Sequence, residues 1–425
     1  MARLEFITFD RSEPIIEGDN VQWEPRLGKP ISKMPLIVWS TNLPWREANV
    51  WSLENASNSK RSQKTILSAM NHICAYAKWL EQENIDWWHF PLKESERCLF
   101  LFRGAVMEMR DQGIIAPSTA SQRMSAVIRF YRWLVKNSLI STDQELWNET
   151  SVGIRVSDNY GFQRTMNVKT TNLAIPNRRR PGDLLEGGLL PVPTAAVENL
   201  LAFAATHASL ELYLMLRLGF GTGMRFGSIA GLKTQTIERA VEDPNLKGFY
   251  RLSLGPGASP PVHTKFGVTG EVWIHKSDLD DLKAYSYSSR RLLRKAKADS
   301  NSSDFIFLNR FGRTYANDGF EVSRGISVEI GRLRRKGFAA GIPAYRNFKF
   351  HQTRCTFATE LARAALKHGG TAIAVNLVKQ ALLHKNESTT IGYIRFIEKT
   401  AVMAQAADEF FYSFLGLAAA KMETN

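Results

Sequence analysis

Six side chains in the second half of the chain have the types and the order needed to handle a phosphodiester. Arg225 stands at a helix start in Thr222-Gly-Met-Arg-Phe-Gly-Ser-Ile-Ala-Gly-Leu232, and Lys265 ends His263-Thr-Lys. His351 and Arg354 open a helix as His-Gln-Thr-Arg, and Leu382-Leu-His384 is followed nine residues later by Tyr393. Singly these are weak signals. With 8 His and 55 basic residues among 425, about one His-x-x-basic match is expected by chance. Taken alone, Arg225 is as well read as a helix-face charge, Lys265 as a turn lysine, and His384 and Tyr393 as core residues. Their joint order, spacing and chemical fit give them weight.

Cutting a DNA phosphodiester without metal or water requires a side-chain oxygen that forms an ester open to later attack by a DNA hydroxyl. Tyrosine fits, but with a pKa near ~10 its phenol needs a proton acceptor close by. The transition state gathers negative charge on two non-bridging oxygens, which planar guanidiniums grip bidentately. The departing 5′-oxygen needs a proton, which a lysine can supply, with histidine able to donate or accept beside it. Arg225, Lys265, His351, Arg354, His384 and Tyr393 make up that inventory, and His351 and Arg354 at i, i+3 share one helix face. No metal and no cofactor is implied.

The chain that must position them has 425 residues, enough for two or three domains at about 150 residues each. Its 55 basic against 41 acidic residues give a formal charge of +14, while 44% hydrophobic and 11% aromatic content excludes a disordered polycation. The excess charge therefore belongs on a folded surface and points to a polyanionic partner. It is regional: His275 to Lys349 holds 16 basic and 8 acidic residues. Arg290, Arg291, Arg294, Lys295 and Lys297 form one run there and Arg332, Arg334, Arg335 and Lys336 another. Such runs are most often solvated helix faces. Cys74, Cys98 and Cys355 lack the paired spacing of a disulfide framework or zinc cluster. No apolar stretch reaches the ~20 uninterrupted residues of a membrane span, and Met1 to Pro14 is too acidic for a secretory signal. A soluble, cytoplasmic protein is expected, and its association with the nucleoid is what the resemblance named below implies.

Helical spacing dominates before residue 150. Ile66, Met70, Ile73, Ala77 and Leu80 step by three and four, a second helix runs from Glu94 to Gly113, and a third follows Pro117, with Ser118 as N-cap, to Asn137. The outer face of the third carries Arg129, Arg132 and Lys136, which could follow a phosphate backbone or simply face solvent. Residues 1–50 are weakly patterned and receive no role. Ser151 to Pro193, rich in turn formers and holding Arg178, Arg179 and Arg180, reads as a linker. Beyond it, helices are expected at Thr194–Ala205, Ser209–Leu218, Ser277–Ala298, Asp318–Ala340, His351–Lys367, Ala372–Leu383 and Ala401–Leu417. Strands at Phe249–Leu254 and Val272–His275 would flank a turn-rich segment. The fold class is mainly α, divided into residues 1–50 (an extension), 51–150 (helical), 151–190 (linker) and 191–425 (mostly helical with a small antiparallel sheet).

On these motifs the sequence resembles the tyrosine recombinase, or phage integrase, family. The resemblance runs from about Pro191 to Tyr412 and extends to Ala116–Leu134, which is similar to the last helix of the family's core-binding domain. It implies a SAM-like helical DNA-binding domain and a catalytic domain of the DNA breaking-rejoining fold. By resemblance, Tyr393 forms a 3′-phosphotyrosyl link and frees a 5′-hydroxyl. Arg225 and Arg354 hold the phosphate, Lys265 is the general acid, His351 the general base, and His384 a phosphate hydrogen-bond donor. Duplex DNA is the implied partner, met by Arg129, Arg132, Lys136, Arg178 to Arg180, Arg290, Arg291 and Arg294. A tetramer on paired sites, docked through Ala401 to Leu417, and an accessory DNA-bending or directionality factor are further implications. Three departures stand out: Ser228 where an acidic residue often follows the first arginine, Leu383 where glycine usually precedes the histidine, and a long Arg354–Tyr393 interval containing His368-Gly-Gly-Thr371.

The expected activity is site-specific recombination, with integration or excision of a mobile element foremost. A chromosome-dimer resolvase, an invertase or a transposase are variants within the family. A type IB topoisomerase and a catalytically silent DNA-binding protein are the alternatives outside that activity.

Overall fold

A computed structural model describes residues 1–17, 20–25, 30–58, 62–140, 145–157, 163–177, 185–317, 321–322 and 324–409. The chain divides into two units, Met1–Pro181 and Gly182–Asn425.

The first unit is built on helices α1 (Arg46–Ser57), α2 (Gln63–Glu83), α3 (Cys98–Asp111) and α4 (Pro117–Lys136). The three- and four-residue steps of α2 bury Ile66, Met70, Ile73, Ala77 and Leu80, as expected. Ser62 caps that helix by accepting from the Thr65 amide, and Asn84 closes it in the left-handed conformation. Helix α4 begins at Pro117 with Ala116 as N-cap, so Ser118 lies inside the first turn and is not the cap; proline at N1 needs no amide partner. The expected helix from Glu94 resolves into a short 3₁₀ turn and then α3, separated at Arg97. In the core, Tyr131 donates to the Trp87 carbonyl at 2.5 Å and Tyr76 lies 2.8 Å from the Tyr131 hydroxyl, so both buried phenols are satisfied.

Two departures from the sequence reading concern domain limits. The limit at residue 50 falls inside α1, and strands β1 (Arg3–Phe9) and β4 (Ile31–Val38) pair antiparallel, adding Ala2 and Ile37 to the core of the helices. Between them β2 (Ser12–Glu17) and β3 (Asn20–Pro25) form a hairpin. The expected linker is not irregular throughout: β5 (Glu149–Ser157) and β6 (Gln163–Thr171) pair over nine positions, from Glu149↔Thr171 to Ser157↔Gln163.

The second unit begins with α5 (Thr194–His207) and α6 (Leu210–Thr222), the latter capped by Ser209, followed by short α7 (Phe226–Ala230) and α8 (Thr234–Glu238). A three-stranded antiparallel sheet follows in the order β7 (Val241–Glu242), β8 (Phe249–Leu254), β9 (Gly270–His275), which bears out both expected strands and adds one. The helix expected over Ser277–Ala298 is two, α9 (Lys276–Ser286) and α10 (Ser289–Lys295), because Ser288 leaves helical geometry and caps the second by accepting from the Arg291 amide. After the short pair β10 (Ala316–Asn317) and β11 (Glu321–Val322), α11 spans Arg324–Ala339 and so starts later than Asp318. Helices α12 (His351–Leu382) and α13 (Glu387–Glu409) complete the unit. Leu212, Met215, Leu252, Ile274 and Phe307 are among the fully buried residues of its core, each contributing about 1.5–3 kcal/mol by burial.

Helix α12 is broken at Gly370, whose φ of 70° and ψ of −179° suit glycine alone. A continuous helix would separate Arg354 from Leu382 by about 42 Å. Instead Arg354 Nη2 donates to the Leu382 carbonyl at 2.9 Å, so the second half doubles back on the first. Cys355, Ala358 and Ala362 from one half pack in one apolar cluster with Ala374, Val378 and Leu382 from the other.

Candidate active site

The doubling back of α12 sets the site. Arg354 is 2% exposed and donates from Nη1 to the Gly223 carbonyl at 2.8 Å as well as to Leu382. Gly223 ends α6 in the left-handed region (φ 65°), and a β-carbon there would fall 2.4 Å from the Phe357 ring. That tight turn delivers Arg225, the N-cap of α7, beside Arg354. Ser228 Oγ donates to the His263 carbonyl at 2.9 Å, tying α7 to the segment that carries Lys265. Lys265, exposed, lines one cleft with Arg225, Ser228 and Arg354.

Leu383, the residue in the expected glycine position, adopts the backbone a glycine would, with φ 49° and ψ 50°. A left-handed non-glycine residue costs about 1–2 kcal/mol, and this one turns His384 back toward Arg354. The long Arg354–Tyr393 interval contains the break at Gly370.

A residue outside the expected set joins these groups. Glu186, in a 3₁₀ turn (Glu186–Gly188), has its Oε1 2.7 Å from His384 Nε2 and 3.6 Å from Arg354 Nε, while its Oε2 lies 3.1 Å from His351 Nε2 and 3.4 Å from Arg225 Nη2. Four of the six expected side chains thus converge on one carboxylate. Burial opposes ionisation of Glu186, but hydrogen bonds from His351 and His384 and the charges of Arg354 and Arg225 overcome it and hold the carboxyl far below the usual range. An ionised carboxylate only accepts, which places the proton of His384 on Nε2. Its Nδ1 faces Thr390 Oγ1 at 2.9 Å. Burial lowers the His384 pKa despite Glu186, and desolvation with the like charge of Arg225 lowers that of Arg354 to about 10.

Tyr393 is 1% exposed; its ring lies 6.1 Å from that of His384 and nearly parallel to it, and its hydroxyl donates to Cys355 Sγ at 3.9 Å. Burial, Cys355 and Glu186 raise its pKa well above that of a free phenol. In this conformation it is stowed, with its proton on.

The DNA-contact expectations fare unevenly. Arg290 donates to both oxygens of the fully buried Glu211 at 2.8 and 3.0 Å, Arg294 Nη1 lies 2.8 Å from Glu211 Oε1, and Tyr285 adds a hydroxyl at 2.8 Å. Arg291 is 2% exposed and donates to the Ser303 and Phe305 carbonyls. All three arginines therefore also support the fold, though they differ in access: the Arg290 side chain is 48% exposed and that of Arg294 13%. Arg129, Arg132 and Lys136 are exposed on α4, with Arg132 paired to Glu149. Arg178 to Arg180 and residues 410–417 of the expected docking helix lie outside the described residues; 401–409 continue α13. Among the described residues, no helix is long and apolar enough to cross a membrane.

Residues 192–399 match the model of the phage integrase family. A tyrosine recombinase XerC of Lactobacillus delbrueckii subsp. bulgaricus is 23% identical over 334 residues, which are 78% of this chain and 88% of the relative. Among solved structures, the Tn1549 transposon integrase in complex with a circular intermediate DNA is similar with a TM-score of 0.50 at 15% identity, covering 84% of this chain and 99% of that one. The structural likeness is one of fold.

Proposed function

We propose, from the premise that residues 192–399 form a domain of the phage integrase (tyrosine recombinase) family, that this chain cuts and rejoins duplex DNA through a 3′-phosphotyrosine intermediate. The observation that carries the reading is the convergence of Arg225, His351, Arg354 and His384 on one carboxylate, that of Glu186, with Tyr393 beside His384 and Lys265 on the same cleft. Preorganised donors around an anion are what a phosphoryl-transfer transition state needs.

In the proposed reaction the Tyr393 oxygen attacks the scissile phosphorus as His351 takes its proton. The P–O5′ bond breaks, and Lys265 protonates the leaving oxygen. Arg225, Arg354 and His384 hold the non-bridging oxygens. Attack by another 5′-hydroxyl reverses each step and releases Tyr393, so the ester conserves the energy of the broken bond. Tyr393 has to leave Cys355 before attack, where a cationic surrounding would lower its raised pKa.

The biological reading is integration or excision of a mobile genetic element by a nucleoid-associated protein. The first unit would supply a core-type DNA-binding surface through α2 and α4, and Ala401 to Leu417 a contact between protomers on paired sites. Incubation with nicked suicide duplexes covering the ends of its own element tests the chemistry. A covalent protein–DNA adduct is expected from the wild type and none from Tyr393→Phe. No adduct on any cognate site would sink the reading, and plasmid relaxation without strand exchange would move it to a topoisomerase.

A further inference from the structure

We infer that Glu186 is an intramolecular substitute for the scissile phosphate, which keeps the anion site occupied until DNA displaces it. The inference rests on the proposed function for what Glu186 gives way to, and on geometry for the rest. Every contact Glu186 makes is with a group assigned above to phosphate binding or proton transfer: two guanidiniums and two imidazoles, from α7, from α12 and from the residue pair that follows it. A residue that merely buttressed one of them would face that one from behind. This carboxylate sits where all four point.

The fit is also incomplete in a way that a phosphate would mend. Glu186 reaches the imidazoles at 2.7 and 3.1 Å but the guanidiniums only at 3.4 and 3.6 Å. Arg354 Nε is buried and has no hydrogen-bond partner among the described residues. A planar carboxylate has two oxygens to offer four donors. A tetrahedral phosphodiester spreads its oxygens in three dimensions and can meet a guanidinium edge that the carboxylate cannot.

The segment carrying Glu186 is fastened as a small removable unit. Leu185 is buried in the apolar cluster of α12 and α13, and its amide donates to the Leu189 carbonyl, closing the loop. Gln352 Nε2 donates to the Leu190 carbonyl and the Val192 amide donates to Thr356 Oγ1, so the loop is hung on the same helix that bears His351 and Arg354. Withdrawal uncovers Leu185 and the partly buried Leu189 and breaks the four contacts of Glu186, which an incoming phosphate replaces on the same cationic groups. The stowed Tyr393 is the second half of the same closed state, since neither phosphate nor nucleophile is where the reaction needs it.

A site populated open only in part binds an outside anion more weakly by that fraction. Removing the plug therefore unmasks affinity. Inorganic phosphate is the probe, followed by thermal shift and by the imidazole NMR signals of His351 and His384 in the full-length protein. Glu186→Ala is expected to bind phosphate at least about tenfold more tightly than the wild type, and the isosteric Glu186→Gln to gain less, which keeps the test available if the alanine variant folds poorly. On suicide duplexes, Glu186→Ala is expected to form adduct at about tenfold lower DNA concentration, with Glu186→Ala/Tyr393→Phe forming none. Equal phosphate affinity in wild type and both variants overturns the inference. So does loss of adduct in Glu186→Ala, which would make Glu186 a positioning residue of the working site. Absence of adduct from every form alongside a phosphate gain would remove the recombinase reading and leave the plug standing.

Discussion

Two glutamates in the second unit each gather arginines, and they do so differently. Glu211 is fully buried and receives Arg290, Arg294 and Tyr285 at 2.8 to 3.0 Å, the bidentate arm of Arg290 included. Glu186 keeps 13% of its side chain exposed, and its arginines stand off at 3.4 and 3.6 Å. In the first cluster the carboxylate is fully buried and both its oxygens are taken at close hydrogen-bonding distance, although the Arg290 side chain stays 48% exposed. The second is an anion site whose present tenant fits loosely. Counting charges along a sequence cannot separate the two, since both are arginines near one another. The separation lies in how completely each guanidinium is already satisfied.

The sharpest way to break this contrast is to delete each carboxylate. Glu211→Ala should destabilise the protein by about 3–5 kcal/mol, because it leaves Arg294 and the Tyr285 hydroxyl buried without their partner. Glu186→Ala should also destabilise the protein, by leaving Arg354 and His384 buried without their anion, but there phosphate should restore the loss. Urea unfolding with and without phosphate measures both, and a phosphate rescue of Glu211→Ala would erase the distinction. Next in size, Arg354→Ala should slow adduct formation by about 10²–10³-fold, whereas Arg291→Ala should lower stability and leave the adduct rate of the folded fraction unchanged.

A smaller effect is expected with pH. His384 has a lowered native pKa, chiefly from burial, so the unfolded chain binds its proton first and stability falls as pH drops below about 6.5, the unfolded histidine value. Glu186 acts in the same direction at lower pH: its depressed pKa gives stability that is fully present above the ordinary carboxylate value and lost as pH falls below it. Thermal unfolding of wild type and His384→Asn between pH 7.5 and pH 5 should therefore converge on acidification. The smallest change is in salt dependence. Arg290→Ala should leave the slope of log K against log salt for duplex binding untouched, while Arg129→Ala or Lys136→Ala should each reduce it by about one.

Much of the site was legible because its chemistry is carried by residue types in fixed order. Arg225, Lys265, His351, Arg354, His384 and Tyr393 could be named from motifs, and the structure brings four of them onto one carboxylate. Glu186 was not legible: it stands in a turn-rich stretch without periodicity, 39 residues from Arg225 and 198 from His384, and a single glutamate in such a place has no pattern. Helices with a wet face, such as α2 and α4, were readable from three- and four-residue steps. The β5–β6 hairpin left a trace in the alternation of Val152, Ile154 and Val156 with polar or small residues, outweighed by the surrounding turn formers. Ser288 hid the division of α9 from α10, since one capping serine flanked by Ser286 and Ser289 looks like any other polar position. The Arg290–Arg294 spacing of i, i+4 was visible, but its partner lies on α6, beyond any local pattern.

The reversal of α12 at Gly370 has a mechanical consequence. Because the chain doubles back without a loop, no slack separates the half bearing Arg354 from the half leading to His384, and the Arg354–Leu382 hydrogen bond latches their ends. Fraying at the carboxyl end of the returning half therefore loosens the arginine at the same moment. Amide exchange along Ala374 to Leu382 becomes a gauge of whether the arginine is held in place, readable without DNA and without turnover.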